Sequence, residues 1–335
     1  MKLLEDIREI GASIGRNVTL MEVCGGHTHT IMAYGIRDVL PDTVHLISGP
    51  GCPVCVSSKL DIDRMIELAK NGVPVATYGD MLRVPGSAGS LMDAKANGAT
   101  VEMIYSTTDL LELRKRHKDI VFFGIGFETT APMTTFALAH GIPVYSTHKL
   151  IPPAMQALIS EDIGVDGFIS PGHVATIIGA DAFRNISVPQ AIAGFDPEQI
   201  LMAIKAVLES IREGKDDVAN VYKGVVSDAG NRKAQEAMEK HFKIDDATWR
   251  GLGCIPASGL EVKDAAVDAK IIHKNIIDNV PEPAKTACRC GEVLQGRIGP
   301  AECPLFATSC TPQTPHGACM VSEEGSCQIA YRYRG

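Results

Sequence analysis

The chain has 335 residues, 45% of them hydrophobic and 21% charged, with a formal net charge of -8. That length suits two or three domains, each with its own core. The acidic balance, with no basic cluster interleaved with aromatics, excludes a large nucleic-acid footprint.

The N-terminal stretch MKLLEDIREIGASIG reads as an amphipathic helix without the apolar core of a signal peptide. No apolar run reaches the roughly 18 residues that a membrane helix needs. A cytoplasmic protein is expected. In that reducing compartment ten cysteines point to metal or redox work rather than structural disulfides.

Short β-rich runs then alternate with helical patterns. Strands are predicted at Thr19–Val23, Val44–Ser48, Val75–Tyr78, Thr100–Tyr105, Ile120–Ile125, Val144–Thr147 and Gly167–Ser170. Helices are predicted at Thr28–Leu40, Ser57–Lys70, Ser90–Asn97, Thr108–Arg116, Ala131–His140 and Pro153–Ser160. Such alternation predicts an α/β protein with parallel sheets covered by helices. The basic run Arg114–Lys118 reads as a solvated helix end before a strand. From Asp196 the pattern turns helical, over Pro197–Glu213, Val218–Lys223 and Asn231–His241. A few β-rich pieces return around Trp249–Ile255. PEP at 281–283 reads as a boundary. The expected domains are 1–118, 119–281 and 282–335.

Four motifs follow predicted strands: CGGHTH (24–29), SGPGCPVC (48–55), GFETT (126–130) and SPGHV (170–174). Ligands bind at the carboxyl ends of parallel strands, so these four loops can converge on one cleft, which lies between two domains if two domains share these strands. The P-loop pattern is absent, and GIG at 124–126 lacks the third glycine of a dinucleotide fingerprint. Cys24, His27 and His29 combine soft and borderline ligands within six residues. They read as a reactive or metal-contacting site, with an exposed Cys24 thiolate expected after the strand. Cys52 and Cys55 have dithiol/disulfide spacing just before a predicted helix, whose N-terminus favours a thiolate. Half of a zinc site is the alternative, but no second Cys-x-x-Cys exists to complete it. Glu128, Thr129 and Thr130 open a helix, and taken by themselves they read as a cap. His173 reads as a satisfied loop histidine and Cys254 as a buried thiol.

Six cysteines lie in the last 48 residues. Cys303, Cys310, Cys319 and Cys327 lack the close knuckle of structural zinc sites. Their spread favours a [4Fe–4S] cluster, whose irons can be approached from separate loops. Zinc stays open as the alternative. Cys288 and Cys290 read as alternative ligands, a redox pair or inert core thiols.

Taken together, these motifs, with GEVLQG at 291–296 and the CTPQTPHGACMVSEEGSC tail, resemble the HypD family of [NiFe]-hydrogenase maturation proteins in content and order. The resemblance runs from about residue 12 to 331. It departs only in ATSC, where a glycine is expected after the phenylalanine. It implies two Rossmann-like α/β domains plus a small cysteine-rich [4Fe–4S] domain. It also implies a scaffold for assembling the Fe(CN)2CO group, working with a small HypC-type chaperone and a HypE-type cyanide donor. Carried over by motif, Cys24 binds the nascent iron beside His27. Cys52 and Cys55 form a redox dithiol, and Glu128, Thr129 and Thr130 line the same cleft. Cys303, Cys310, Cys319 and Cys327 hold the cluster. A monomer that forms partner complexes is expected. Two other classes fit the residues less fully: a free-standing iron–sulfur disulfide reductase, and a zinc-stabilised binding module.

Overall fold

The structure is a computed structural model, and it describes residues 2–160 and 163–334. Eleven strands form three sheets among these residues. In chain order they are β1 (Val18–Glu22), β2 (Val44–Ser48), β3 (Val75–Tyr78), β4 (Val101–Ile104), β5 (Val121–Gly124), β6 (Val144–Ser146), β7 (Gly167–Pro171), β8 (Gln190–Ala193), β9 (Val218–Asn220), β10 (Phe242–Trp249) and β11 (Gly253–Val262).

The first sheet has the order β2-β1-β7-β8-β9 and the second β4-β3-β5-β6, both parallel throughout. The fold is α/β, with two Rossmann-like units and a cysteine-rich segment. The expected break between residues 118 and 119 does not follow the sheets. The first sheet joins strands from both sides of the second, because β1 pairs with β7, Leu20 opposite Gly167. Parallel neighbours need a crossover connection, and here the whole second sheet lies within that connection. Strands β10 and β11 form an antiparallel hairpin.

The helix Pro197–Glu213 shows how local sequence sets the packing. Asp196 caps it by accepting from the Glu198 N–H at 2.9 Å, and Gly214 ends it in the left-handed conformation. Ile200, Ala203, Ile204, Val207 and Leu208 recur at helical spacing and are buried. With Ile7 and Ile10 of the helix Lys2–Ile14 they share a core with Leu20 and Ile169 of the first sheet. Each such aliphatic side chain contributes about 1.5–3 kcal/mol by leaving water. A second core, containing Leu110, Phe122, Leu138, Met238 and Leu260, fills one side of the second sheet.

Two sequence expectations fail in the C-terminal half. Val218–Lys223 is not a helix: residues 218–220 are β9, paired in parallel with β8. β8 itself, Gln-Ala-Ile-Ala, was not expected, because Ile192 is its one strong strand former. Burial of all four positions on both faces overrides that preference. The hairpin is also longer than the few pieces expected near Trp249. The cysteine-rich segment follows a coil over 281–288 and consists of short helical turns, including Cys290–Leu294, Ala318–Val321 and Ser326–Arg332.

Candidate functional site

Three of the four motif loops meet at the carboxyl edge of the first sheet. Cys24 follows β1 and forms the extended N-cap of the helix Gly25–Ala33. Its neighbours come close because glycines carry no Cβ. The Gly25 N–H donates to the Gly51 carbonyl at 3.2 Å, and Gly49 donates to Glu22 at 2.8 Å. A Cβ on Gly51 would lie 2.3 Å from the Cys24 nitrogen. A Cβ on Gly25 would lie 2.5 Å from Glu324, and one on Gly26 would lie 2.7 Å from Phe195. The CGGHTH loop is thus clamped between the loop that carries Cys52, the loop after β8 and the C-terminal tail.

His27 is fully buried. Its Nε2 lies 3.2 Å from the Ala193 carbonyl and 3.0 Å from the Gly194 carbonyl, so this nitrogen carries the proton. Its Nδ1 has no hydrogen-bond partner among the described residues. Burial lowers the imidazole to about 4, which keeps it neutral. Phe195 packs between His27 and the exposed His173 of SPGHV, ring centroids 5.1 and 4.2 Å away. His29 instead reaches the tail, its Nε2 lying 2.9 Å from the Tyr333 hydroxyl.

Cys24 does not present the exposed thiolate expected from the sequence. It is half-buried, and desolvation, with Glu324 and Glu22 nearby, pushes its thiol up to about 12. Glu22 was missed by sequence reasoning. It ends β1 fully buried, accepts from the Thr28 hydroxyl at 2.8 Å, and is pushed up to about 7 by burial. One acid in an otherwise apolar strand was the available signal.

Cys52 and Cys55 form a disulfide, with Cα atoms 5.2 Å apart. Cys52 caps the short helix Pro53–Val56, its sulfur accepting from the Cys55 N–H at 3.1 Å. The two half-cystines belong to the same apolar core as Cys290, Cys310, Cys319 and Cys327.

Six thiols line one small cavity walled by Phe306 and Met320: Cys288, Cys290, Cys303, Cys310, Cys319 and Cys327. Five are buried and Cys288 is half-buried. Cys290 Sγ lies 2.6 Å from Cys319 Sγ. Cys288 and Cys290 therefore belong with the four tail cysteines. Among the described residues no three His, Cys, Asp or Glu side chains are grouped to hold a single metal ion. Thiols around a cavity suit a cluster, in which each iron takes its own thiolate. Cys254 departs from expectation and is exposed, since it lies on the open hairpin.

The GFETT loop follows β5 of the second sheet, and its Phe127 joins the apolar core that contains Cys52 and Cys55. Gly126 takes a φ of 153°, and Thr130 ends the turn by folding its hydroxyl back to the Ile125 and Phe127 carbonyls at 3.4 and 3.3 Å. Glu128 is buried, and its Oε1 accepts from the Ile151 N–H at 2.9 Å. Its Oε2 has no partner, and burial pushes the carboxyl up to about 7. Glu128 faces an apolar cavity shared with Ile178, Met238 and Phe242. No described hydrogen bond or ring contact joins Glu128, Thr129 or Thr130 to Cys24, His27, Cys52 or Cys55. This loop belongs to the second sheet, so its strand ends at a different edge.

The geometry defines a thiol-rich α/β protein whose cysteines are gathered where strand-end loops meet the chain's tail. A family described as HypD, hydrogenase formation hypA family, matches residues 1–334. The chain belongs to the HypD family. It is 39% identical to a hydrogenase maturation factor HypD of Escherichia coli K12, covering 100% of this chain and 95% of that protein. It is 41% identical to a factor of the same name from Azotobacter vinelandii, over 95% and 90% of the two chains. A putative hydrogenase expression/formation protein of Methanocaldococcus jannaschii is 39% identical over 99% and 96%. No helix among the described residues is long and apolar enough to cross a membrane.

Proposed function

We propose that the chain is a hydrogenase maturation factor that acts in the cytoplasm as the scaffold on which the Fe(CN)2CO group is assembled. One observation carries this reading: Cys24 is held where the disulfide loop, the loop after β8 and the cysteine-rich tail meet. In this role Cys24 anchors the iron cargo through its sulfur, jointly with a cysteine of a small HypC-type chaperone. A HypE-type protein delivers cyanide. Thiolate is a suitable soft anchor for the low-spin Fe(II) that cyanide and carbon monoxide stabilise. His27, neutral and oriented by two carbonyls, would sit beside the anchoring sulfur.

Cys303, Cys310, Cys319 and Cys327 would hold a [4Fe–4S] cluster, with Cys288 and Cys290 beside them. When bound, that cluster supplies single electrons close to the Cys52–Cys55 disulfide. The disulfide takes up two electrons and two protons as it opens to a dithiol. Glu128, Thr129 and Thr130 would line the same cleft from the second sheet, next to Phe127, which shares the core of Cys52 and Cys55.

The test is Cys24→Ala in protein co-purified with its partners without oxygen. The expected variant keeps its iron and acid-labile sulfide, about four of each for such a cluster, but loses the infrared bands of bound cyanide. Retention of those bands in Cys24→Ala overturns the assignment. A second reading, a free-standing disulfide reductase, draws on the packing of the Cys52–Cys55 disulfide in one core with the tail thiols. It requires steady turnover with an electron donor and no partner. A colourless protein with one zinc would favour the binding-module reading instead.

A further inference from the structure

A polar cavity of roughly 690 Å³ opens on the second sheet, away from Cys24. Its walls are the start of the helix Lys59–Lys70, the segment 146–149 after β6, the turn of the β10–β11 hairpin and the coil 282–285. Six basic side chains and four carboxylates line it. The carboxylates are unevenly engaged. Glu261 pairs with Lys270 at 2.5 Å, and Asp61 accepts from the Tyr145 hydroxyl at 2.7 Å with Arg64 at 3.8 Å. Among the described residues Lys59, Lys149, Arg250 and Lys285 have no carboxylate within ion-pair distance.

Lys149 is the most telling of these. It is only 3% exposed. Its Nζ donates to the Thr248 carbonyl at 2.8 Å and lies 5.6 Å from the centre of the Trp249 ring. Its position is fixed by the hairpin, since Lys149 bridges to Gly259 and the Leu150 N–H donates to Ser258 at 2.9 Å. Burial lowers the amine to about 8. A buried ammonium without a counter-charge is costly. Two further cationic groups are short of partners: Nη2 of Arg250 and Nε of Arg64 are buried and make no hydrogen bond among the described residues. The first turn of the helix Lys59–Lys70 opens onto the same space, and a helix N-terminus favours negative charge.

We propose that this cavity binds a small oxyanion carrying at least two negative charges, with Lys149 at its base and Arg250, Lys59 and Lys285 around it. The bound anion supplies the counter-charge that these cations lack. The volume lies in the range of ordinary small-ligand sites. Arg250 gives the site a structural neighbour. Its backbone N–H donates to Val56 at 2.8 Å and its Nε to Ser57 at 2.9 Å, at the end of the helix that holds Cys52 and Cys55.

The test uses titration calorimetry on the full chain, with inorganic pyrophosphate and citrate as probes at constant ionic strength. Saturable binding of either probe supports the site. Pyrophosphate alone points to a phosphate-type ligand, and citrate alone to a carboxylate-type one. Lys149→Met is expected to weaken binding about tenfold or more, the loss of one charge-assisted hydrogen bond. If Lys149→Met does not fold, as judged by circular dichroism, Lys59→Ala and Lys285→Ala decide, each weakening binding several-fold. Failure of the wild-type chain to bind either probe overturns the proposal. So does binding that folded charge-removing variants leave unchanged.

Discussion

The two parallel sheets end in loops of similar sequence character, yet their carboxyl edges are built differently. At the first sheet, glycines let backbone touch backbone, and the tail closes over Cys24. At the second, the turn after β5 folds back on itself and the hairpin covers the end of β6. One edge becomes a packed sulfur site and the other a polar cavity. The general rule that ligands bind at strand ends therefore leaves the chemistry open. The covering element decides it.

The largest expected effect lies at the second edge. Trp249 is buried against Phe127, ring centroids 6.0 Å apart, and its indole N–H donates to Ser258 at 2.9 Å. Trp249→Ala should cost about 3–5 kcal/mol in urea unfolding. A cost below about 1 kcal/mol would mean that the hairpin is not clamped there. At the first edge, Gly51→Ala forces a Cβ to 2.3–2.7 Å from Cys24 backbone atoms, which have no rotamer to escape into. We expect a loss of about 3 kcal/mol, near the top of the usual range for overpacking. Gly224→Ala, with nothing within 4 Å, should stay within about 0.5 kcal/mol. Equal effects at the two glycines would break the picture of stacked loops.

Glu128 sharpens the comparison through pH. Its folded pKa is raised from 4.5 to about 7, so the folded chain holds more protons than the unfolded chain between those values. This group's contribution is therefore full below pH 4.5 and is lost as pH rises through 7. Glu128→Gln keeps the acceptor for Ile151 and removes the titration. Relative to wild type it should gain stability between pH 5 and pH 8, by up to about 3 kcal/mol. Unfolding curves at the two pH values check this, and an unchanged difference refutes a buried, protonated Glu128. The smallest effect belongs to Cys254. Because it is exposed, Cys254→Ser should change stability by less than about 0.5 kcal/mol. It should also remove the fastest-reacting thiol in a titration with a disulfide reagent.

Much of this organisation was legible in the sequence, for reasons that can be located. The seven strands read from β-branched runs lie where expected, because such runs are buried in parallel sheets. β8 and β9 were illegible because Gln-Ala-Ile-Ala and Val-Ala-Asn are short runs with one β-branched residue each and owe their state to neighbours. The pairing of β1 with β7 leaves no local mark either, so the sheets do not follow the expected domain limits. The gathering of the cysteine-rich tail was visible in its composition. The inclusion of Cys288 and Cys290 required the structure. Lys149 gave no signal, since one lysine after a strand ordinarily faces water.

The threading of the second sheet through the first also bears on how the chain comes to be folded during synthesis. The bond from the Thr19 N–H to the Asp166 carboxylate spans 147 positions. By the time β7 leaves the ribosome, all four strands of the second sheet have already emerged, and within that sheet their ladders need no later strand. Until then β1 and β2 form a two-stranded ribbon, which is marginal by itself and has an open edge. The half of the molecule that bears Cys24 thus keeps an open edge until β7 arrives, and the second sheet's own core stays incomplete for longer, until Met238, Phe242 and Leu260 emerge.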